Sequence, residues 1–292
     1  LPISGFRPAF VARVKAVASA DACLATRLLS GLARRRARGR RCALCRVAKA
    51  LRAQGAANTV SSVGPSVFIH LHGSPAEAAG LGAAAERELR QLKRKLGPLA
   101  SVLVHTPLAV PGQDPLLVAQ DARLLLCQIY LPDDAALASA GEAIAASFAG
   151  LAAWKGVHDV HAHAMTTEWL KNGSPEDSRA PTEAVSFFVQ YDGPAENPTA
   201  FHAYYRAHHV PIVFRMPGIR SVTYYLPAGI KPPPVGRAVE RLQIVQAVFD
   251  SADDFVKMRQ SAERKEGLRD FDNYPKFEGA VTHQVMQSRR FD

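Results

Sequence analysis

The sequence predicts an α+β fold built from two tandem βαββαβ units, on the strength of three observations. Runs of alternating apolar residues, typical of strands, flank stretches with apolar residues at helical spacing. The resulting order of strands and helices occurs twice along the 292 residues. The two first strands, which contain Val67 and Val185, lie about 118 positions apart, and the two third strands share this offset. A βαββαβ order is the ferredoxin-like arrangement.

The first unit is predicted to span residues 65–172. Its strands are expected at residues 67–72, 100–108, 123–131 and 157–165. Its helices are expected at residues 75–96 and 133–154. Asp133 and Asp134 suit the positive end of the second helix, because a helix N-terminus favours negative charge.

The second unit is predicted to span residues 183–292, after a linker at residues 172–177. Its strands are expected at residues 185–191, 222–226, 242–249 and 277–286. Its helices are expected at residues 198–209 and 252–266. A four-stranded antiparallel sheet with helices on one face leaves its other face uncovered. Two units in one chain can cover those faces with each other.

Residues 1–64 differ in composition from the rest and are expected to be a basic, disordered N-terminal tail. Positions 1–60 hold 13 Lys and Arg and one acidic residue, whereas the remainder holds 23 basic and 25 acidic residues. A targeting segment, a basic arm and a misplaced start each fit this composition. The nearly neutral remainder argues against nucleic acid as a partner, because nucleic acid requires a basic face.

The cysteines and the hydropathy limit the cellular setting. Three of the four cysteines, Cys23, Cys42 and Cys45, lie in the tail, and only Cys127 lies in the predicted globular part. A disulfide framework is therefore not expected, and a cytoplasmic location is the default. No uninterrupted run of 18 apolar residues occurs, so a membrane-spanning helix is not expected.

The passage from Phe201 to Tyr225 concentrates side chains that can carry chemistry. Its sequence is FHAYYRAHHVPIVFRMPGIRSVTYY. Pro211 lacks an N–H group, so a helix entering this passage should loosen near His208 and His209. Pro217-Gly218 then turns the chain into a strand that carries Tyr224. Imidazoles are thereby expected at a helix end, beside phenols.

This passage resembles the EthD-like family of the dimeric α+β barrel superfamily. The family pattern is an aromatic helix that runs into His-x-Pro, then Pro-Gly-hydrophobic-Arg and a strand with Tyr. The matching segments are Tyr204-Tyr205, His209-Val210-Pro211-Ile212, Pro217-Gly218-Ile219-Arg220 and Tyr224. The resemblance implies a fused pseudo-dimer whose two sheets form one barrel, either monomeric or in a homodimer.

The resemblance also implies a function. It favours binding of a small hydrophobic molecule with an aromatic or oxygenated ring, followed by His-based acid/base chemistry of oxidoreductase or isomerase type, without a cofactor. Two alternatives remain open. One is a non-catalytic ligand-binding or accessory module, and the other is a haem-binding barrel with a histidine as axial ligand.

His209 and Tyr224 are the candidate catalytic residues. Imidazole titrates near neutral pH, so His209 can donate or accept a proton. Tyr224 can orient the ligand through its hydroxyl. The competing interpretation places His209 at a helix end, where it bonds a freed carbonyl, and Tyr224 in the core.

Six further residues are candidates for substrate binding: Tyr204, Tyr205, His208, Arg220, His283 and Phe188. The phenols and Phe188 can line an aromatic pocket, and Arg220 can receive a carboxylate or enolate oxygen. His283 lies on the last strand and is expected to face the same interior as the first-unit histidines. Each of these residues also fits a purely structural or solvent-exposed role.

A second cluster follows from strand alternation alone. His70 and His72 share one face of the first strand, and His161 and His163 share one face of the fourth. These strands are neighbours in a ferredoxin-like sheet, so the four imidazoles are expected to meet on the face away from the helices. Imidazole suits transition metals, but a semi-polar cavity wall or exposed strand ends also explain the histidines, and no metal is assigned.

Overall fold

The computed structural model describes residues 62–111, 123–171, 182–239 and 241–291, which lie within one compact unit. The predicted basic tail up to residue 61 and the linker at residues 172–177 lie outside the described residues. The strands of the described part are β1 (Ser62–Gly73), β2 (Ser101–Pro107), β3 (Arg123–Tyr130), β4 (Val157–Lys171), β5 (Glu183–Asp192), β6 (Ile219–Pro227), β7 (Arg237–Ala238), β8 (Arg241–Phe249) and β9 (Val281–Phe291).

Helices alternate with these strands. They are α1 (Leu81–Leu96), α2 (Asp134–Ala152), α3 (Pro198–Tyr204), a π-helical turn (Tyr205–His209), α4 (Val210–Arg215), α5 (Ala252–Gln260) and α6 (Ala262–Phe271). The π turn joins α3 to α4, so the helix expected to end at His209 continues to Arg215. The helix expected at residues 252–266 divides at Ser261, whose hydroxyl caps α6 by accepting from the Arg264 N–H.

Eight strands form a closed antiparallel barrel. The order around it is β1-β3-β2-β9-β5-β8-β6-β4, and β4 pairs with β1 to close the ring. The short β7 adds a parallel pairing to β4. The first four strands of the chain occupy one arc, in the order β4-β1-β3-β2, and β9-β5-β8-β6 occupy the other. The arcs meet where β2 pairs with β9 and β4 pairs with β6. Closure leaves no long unpaired edge. The predicted α+β class and barrel are thus present.

Strand alternation separates an outer face, covered by helices, from a barrel interior. On the outer face, Val67 and Ile69 of β1 belong to the core cluster beneath α1 and α2. The corresponding outer residues of β5 pack beneath α4, α5 and α6. The interior carries its own apolar cluster, which includes Phe68, Phe188 and Tyr225. Successive strand residues therefore serve different cores.

A buried polar network crosses the interior and links the two arcs. The Gln128 amide donates to the hydroxyls of Tyr130 and Tyr225 at 2.9 and 2.7 Å. The Tyr225 hydroxyl donates to Gln246 at 2.7 Å. His105 lies between Gln128 and Ser288, with ring nitrogens 3.2 and 2.7 Å from their side-chain oxygens. Because buried polar groups are costly when unpaired, this network fixes the registers of the strands that supply it.

Helix α2 is unusually apolar. It is 19 residues long with a mean hydropathy of 1.4, which makes it the one described helix long and apolar enough, by length and composition, to cross a membrane. The lack of an uninterrupted apolar run predicts that the chain has no membrane-spanning helix, yet α2 meets the criterion of length and composition. One face of α2, with Leu137, Ile144, Phe148 and Leu151, packs against the barrel. The same composition thus suits a core helix.

The interior histidine His105 predicts a specific loss of stability in acid. Burial lowers the pKa of His105 from 6.5 to about 3. The unfolded chain takes up this proton near its ordinary pKa, so the stability contributed by neutral His105 is lost as pH falls below that value. Between about pH 7.5 and pH 4.5, this side chain should lower the free energy of unfolding by about 2–3 kcal/mol. Over the same change in pH, the free energy of unfolding of the His105→Asn variant should fall by less, by about this amount, as measured by urea unfolding at both pH values.

The matched control is His158→Asn, at an exposed histidine of β4. Equal acid sensitivity of the wild type and the His105→Asn variant would show that burial of His105 does not cause the acid loss.

Candidate functional site

The π turn is the local feature that positions the candidate site. The Val210 N–H donates to the Tyr205 carbonyl, five residues back, which inserts one extra residue into the helix. Pro211 then lies in the first turn of α4, where a missing N–H costs little. The predicted loosening before Pro211 therefore takes the form of a π turn rather than a helix end. It leaves the His209 ring buried while its neighbour His208 is exposed.

His209 is paired with a carboxylate that local sequence did not reveal. Its Nδ1 lies 2.9 Å from Asp270 Oδ2, on α6. The hydroxyl of Tyr204 donates to the other Asp270 oxygen, at 2.9 Å. Both members of the His209–Asp270 pair are nearly buried, with side-chain exposures of 10 and 12%. A carboxylate on Nδ1 favours the tautomer with the proton on Nδ1, which leaves Nε2 as the basic nitrogen.

Burial makes His209 a base rather than an acid at neutral pH. The pKa of His209 is lowered from 6.5, chiefly because burial disfavours the charged ring, while the hydrogen bond to Asp270 and its charge oppose this shift. Arg264 and His283 lower the pKa of His209 further. The ring is therefore neutral at pH 7 and can accept a proton.

A small, largely enclosed cavity of about 30 Å³ lies between the sheet and the helices beside His209. Its walls are Phe187, Val189, Tyr205, His209, Val213, Met216, Ile219, Val245, Ala247, Met258 and Arg264. This volume is roughly that of one water molecule. Arg264 is the cation among otherwise largely apolar walls, and it is buried. The cavity could thus stabilise a negative charge that develops beside His209.

An aromatic stack extends from His209 toward the sheet. The Tyr205 ring lies 4.8 Å from the His209 ring and 5.4 Å from that of Tyr224, nearly parallel to the latter. The Tyr224 hydroxyl bonds to Gln243 and lies 3.0 Å from His202 Nδ1. Burial raises the pKa values of both phenols above 10. They remain protonated and can serve as hydrogen-bond donors, but not as bases.

Three of the predicted ligand contacts lie at the surface or near it. Tyr204 is partly exposed and holds Asp270, and the exposed His208 stacks on Tyr204 with ring centres 4.4 Å apart. Arg220 is exposed and forms an ion pair with Asp250 at 2.8 Å. It does not line the cavity. The expectation that Arg220 receives a ligand oxygen is therefore not met by this geometry, since the turn before β6 directs it outward.

Phe188 and His283 lie on opposite faces of the sheet, which corrects the expectation of one shared interior. Phe188 faces the barrel interior, where its ring lies 5.0 Å from that of His105. His283 faces the helices, next to Phe187 and Arg264. The cause is strand alternation: Phe187 and Phe188 are consecutive and must point to opposite faces. His283 thereby becomes a neighbour of His209, and Phe188 does not.

Four residues of the site escaped sequence reasoning: Asp270, Arg264, Tyr274 and His202. Tyr274 packs edge-on against both Tyr205 and His209, with ring centres 5.7 and 5.4 Å apart. Asp270 is 61 positions away from His209. The sequence contains one signal for these residues, which is the helical spacing within α6. Arg264 and Gly267 of this helix face the core, and the absence of a side chain at Gly267 leaves room for the His209 ring.

The predicted imidazole cluster forms inside the barrel. His70 Nε2 lies 3.3 Å from His163 Nε2, and the rings of His72 and His161 lie 4.4 Å apart. Within the described residues, no group of three or more His, Cys, Asp or Glu side chains is arranged to hold a metal ion. The four imidazoles line the interior of the barrel as a polar wall.

Comparisons with known proteins show what this part of the chain is similar to. Residues 193–275 match the model of the EthD domain. A Fusobacterium nucleatum structure assigned as a monooxygenase aligns with a TM-score of 0.51 and 10% identity, over 78% of this chain and 93% of that one. A Thermus thermophilus haem-binding protein aligns with a TM-score of 0.44 and 15% identity, over 80% of this chain and 94% of that one. An EthD family protein from Bacillus halodurans aligns with a TM-score of 0.29 and 20% identity, over 35% of this chain and 95% of that one.

A search of curated proteins gave no match. At these identities a structural likeness shows the fold alone, and only the first of the three alignments reaches a TM-score of 0.5. The similarity to a family therefore rests on the sequence match, which covers the π turn, the His209–Asp270 pair and Tyr274. Residues 193–275 of this chain are accordingly similar to the EthD domain.

Proposed function

We propose that this protein binds a small hydrophobic molecule with an aromatic or oxygenated ring, and that His209 removes a proton from it. The reaction would be of isomerase or oxidoreductase type. One observation carries the proposal: a neutral, buried imidazole paired with a carboxylate forms a wall of a largely apolar cavity. Perturbed titratable groups beside a cavity are typical of functional sites.

The roles follow from the geometry. Asp270 orients the ring and stabilises the imidazolium that forms when Nε2 takes the proton. Arg264 stabilises the resulting enolate or phenolate oxygen, and the protonated Tyr205 adds a hydrogen-bond donor. An isomerase would return the proton to another carbon of the ligand. An oxidase would instead pass the electron pair to an acceptor such as dioxygen.

The ligand needs more room than the cavity beside His209 offers. A volume of about 30 Å³ accepts a water molecule but not a ring. Met216 and Met258 form part of the wall, and methionine side chains adapt their shape readily. We expect ring binding to displace these two side chains and to shift α4 relative to α5.

Two alternatives are weighed against this proposal. An accessory module would bind the same ligand without proton transfer, and the variants below separate the two. Haem does not fit the cavity beside His209, because a porphyrin is far larger than the cavity volume. The fit of the residues therefore favours a small organic ligand.

We also propose that the chain is a fused pair of ferredoxin-like units that acts as a pseudo-dimer. The support is the strand order, since each arc places its fourth, first, third and second strands side by side. The two junctions are also equivalent, because each joins a second strand of one arc to the fourth strand of the other. The small molecule is then the main partner, and the full chain is expected to be monomeric.

Residues 182–292 expressed alone test the pseudo-dimer. This fragment exposes the interior face of its sheet, including Phe188 and Tyr225, and leaves the edges of β6 and β9 unpaired. Two copies should restore the barrel by pairing β6 of one with β9 of the other. Light scattering should give twice the fragment mass, whereas a stable soluble monomer would contradict the proposal.

The His209→Gln variant tests the base. Proton abstraction can be followed without knowing the product, as deuterium uptake from D₂O by a panel of aromatic ketones and phenols, read by NMR. The variant should lower this rate by ~10²–10⁴-fold with little change in melting temperature. His208→Gln, at the exposed neighbour, is the matched control and should retain the rate. A variant that melts earlier but exchanges at the wild-type rate would assign His209 a structural role.

The pH dependence gives an independent test of the His209–Asp270 pair. The base is active when neutral, so the rate should fall as pH drops through the lowered pKa of His209. Asp270 raises that pKa through its hydrogen bond and charge. Asp270→Asn should therefore move the acid limb to lower pH while it reduces the rate at pH 7. An unmoved acid limb would mean that another group titrates.

A further inference from the structure

A second cavity, of about 380 Å³, lies at one mouth of the barrel. His163 and Met165 of β4, Arg241 at the start of β8, and Ile230, Pro232 and Val239 from the β6–β8 connection line it. His163 and Met165 face the barrel interior, on the side of the sheet opposite His209. This cavity, called the mouth cavity below, is therefore separate from the proposed reaction site.

Two buried guanidinium groups make the surroundings of the mouth cavity cationic. Arg241 and Arg123 are only 7 and 3% exposed. Arg241 forms an ion pair with Asp192, and Arg123 donates to the Gln190 amide oxygen at 3.3 Å. The Asp192 side chain, which pairs with Arg241, is one-third exposed to solvent. The guanidinium group of Arg241 is therefore more deeply buried than the carboxylate with which it pairs.

The interior histidines add neutral donors rather than further charge. Burial lowers the pKa values of His70 and His163 well below 6.5, and the nearby Arg123 and Arg241 lower them further. The two neutral rings share one hydrogen bond between their Nε2 atoms. The ring that accepts this bond must carry its proton on Nδ1. Nδ1 of both rings is buried without a hydrogen-bond partner, so one unpaired N–H donor is present.

Other unpaired donors surround the same interior. The Gln190 side-chain nitrogen and the Arg241 Nε are buried and make no hydrogen bond within the described residues. Unpaired buried donors are costly and are rare in native structures. Of these groups, His163 and Arg241 line the mouth cavity, where an acceptor from outside the chain could complete their hydrogen bonding.

A metal cation fits this region poorly. The 3.3 Å separation of the two Nε2 atoms would suit a pair of imidazole ligands. However, two arginines lower the pKa values of these same rings through their positive charge, and the same charge repels a cation. The positive charge that repels a metal cation would stabilise an anion.

The connection from β6 to β8 forms a fixed cover over the mouth. Residues 232–234 are three consecutive prolines, which restrict the backbone. Gly236 has a φ of 60° and packs so tightly that an added Cβ would lie 2.1 Å from the Val160 carbonyl oxygen. β7 then pairs with β4 at His161 and Ala162. The apolar side chains of this cover therefore stay over the cavity in one arrangement.

We propose that the mouth cavity binds a small organic carboxylate. The carboxylate would accept hydrogen bonds from Arg241 and His163, and its apolar body would pack against Met165, Ile230 and Val239. The volume exceeds the needs of a simple oxyanion, and the cover is apolar, which favours a carboxylate with a hydrocarbon body over inorganic phosphate. The proposal stands whether or not His209 is a base.

Calorimetric titration of the full chain tests the site with benzoate as the probe. Benzyl alcohol is the uncharged counterpart, and inorganic phosphate is the counterpart without an apolar body. Benzoate should bind with one-to-one stoichiometry and at least about tenfold more tightly than either. Equal binding of benzyl alcohol, tighter binding of phosphate, or no binding of benzoate would each overturn the proposal.

Arg241→Gln should weaken benzoate binding by at least about tenfold, because the charge-assisted hydrogen bonds are lost. Arg289→Gln is the matched control, since Arg289 is an exposed arginine that pairs with Glu86 and Glu183. Unchanged affinity in Arg241→Gln would sink the idea. Crystals of the wild type with 4-bromobenzoate keep the test decisive if that variant does not fold. Anomalous scattering should place bromine in the mouth cavity, and a bromine found only elsewhere would refute the site.

Discussion

Closure of the barrel by β2–β9 and β4–β6 pairing is the constraint on which the rest of this structure depends. Each arc alone would expose an apolar interior face and two unpaired edges. Pairing at both junctions buries the apolar faces and pairs the strand edges at the same time. It also creates an interior that is shielded from water. The polar network through Gln128, Tyr225 and His105 forms only in that shielded space. Its hydrogen bonds in turn specify how the arcs align.

Closure also divides the molecule into two chemical environments. Outward residues of the second arc lie under helices and build an aromatic site around His209. Inward residues of both arcs build a cationic interior around His70, His163 and Arg241. Because alternation along a strand cannot be changed without moving every side chain, the two environments stay separate within one sheet. One barrel can therefore hold the proposed reaction site and the proposed anion site independently.

Burial controls the histidines in both environments. The pKa values of His70, His105, His163 and His209 are all lowered, and burial is the largest cause in each case. The outcomes differ because the partners differ. Asp270 opposes the shift at His209, which keeps the ring basic enough to take a proton. Arginines reinforce the shift in the interior, where the rings stay neutral donors and acceptors.

The sequence by itself determined the element order, the two faces of each strand and the break before Pro211, because these depend on periodicity and on the covalent geometry of proline. It also placed the four histidines together, since their strands are neighbours in any βαββαβ sheet. Only the tertiary structure supplied Asp270 as the partner of His209 and brought Arg241 to His163. These residues meet across separate elements, and their contacts depend on helix docking and barrel closure, for which no local pattern exists.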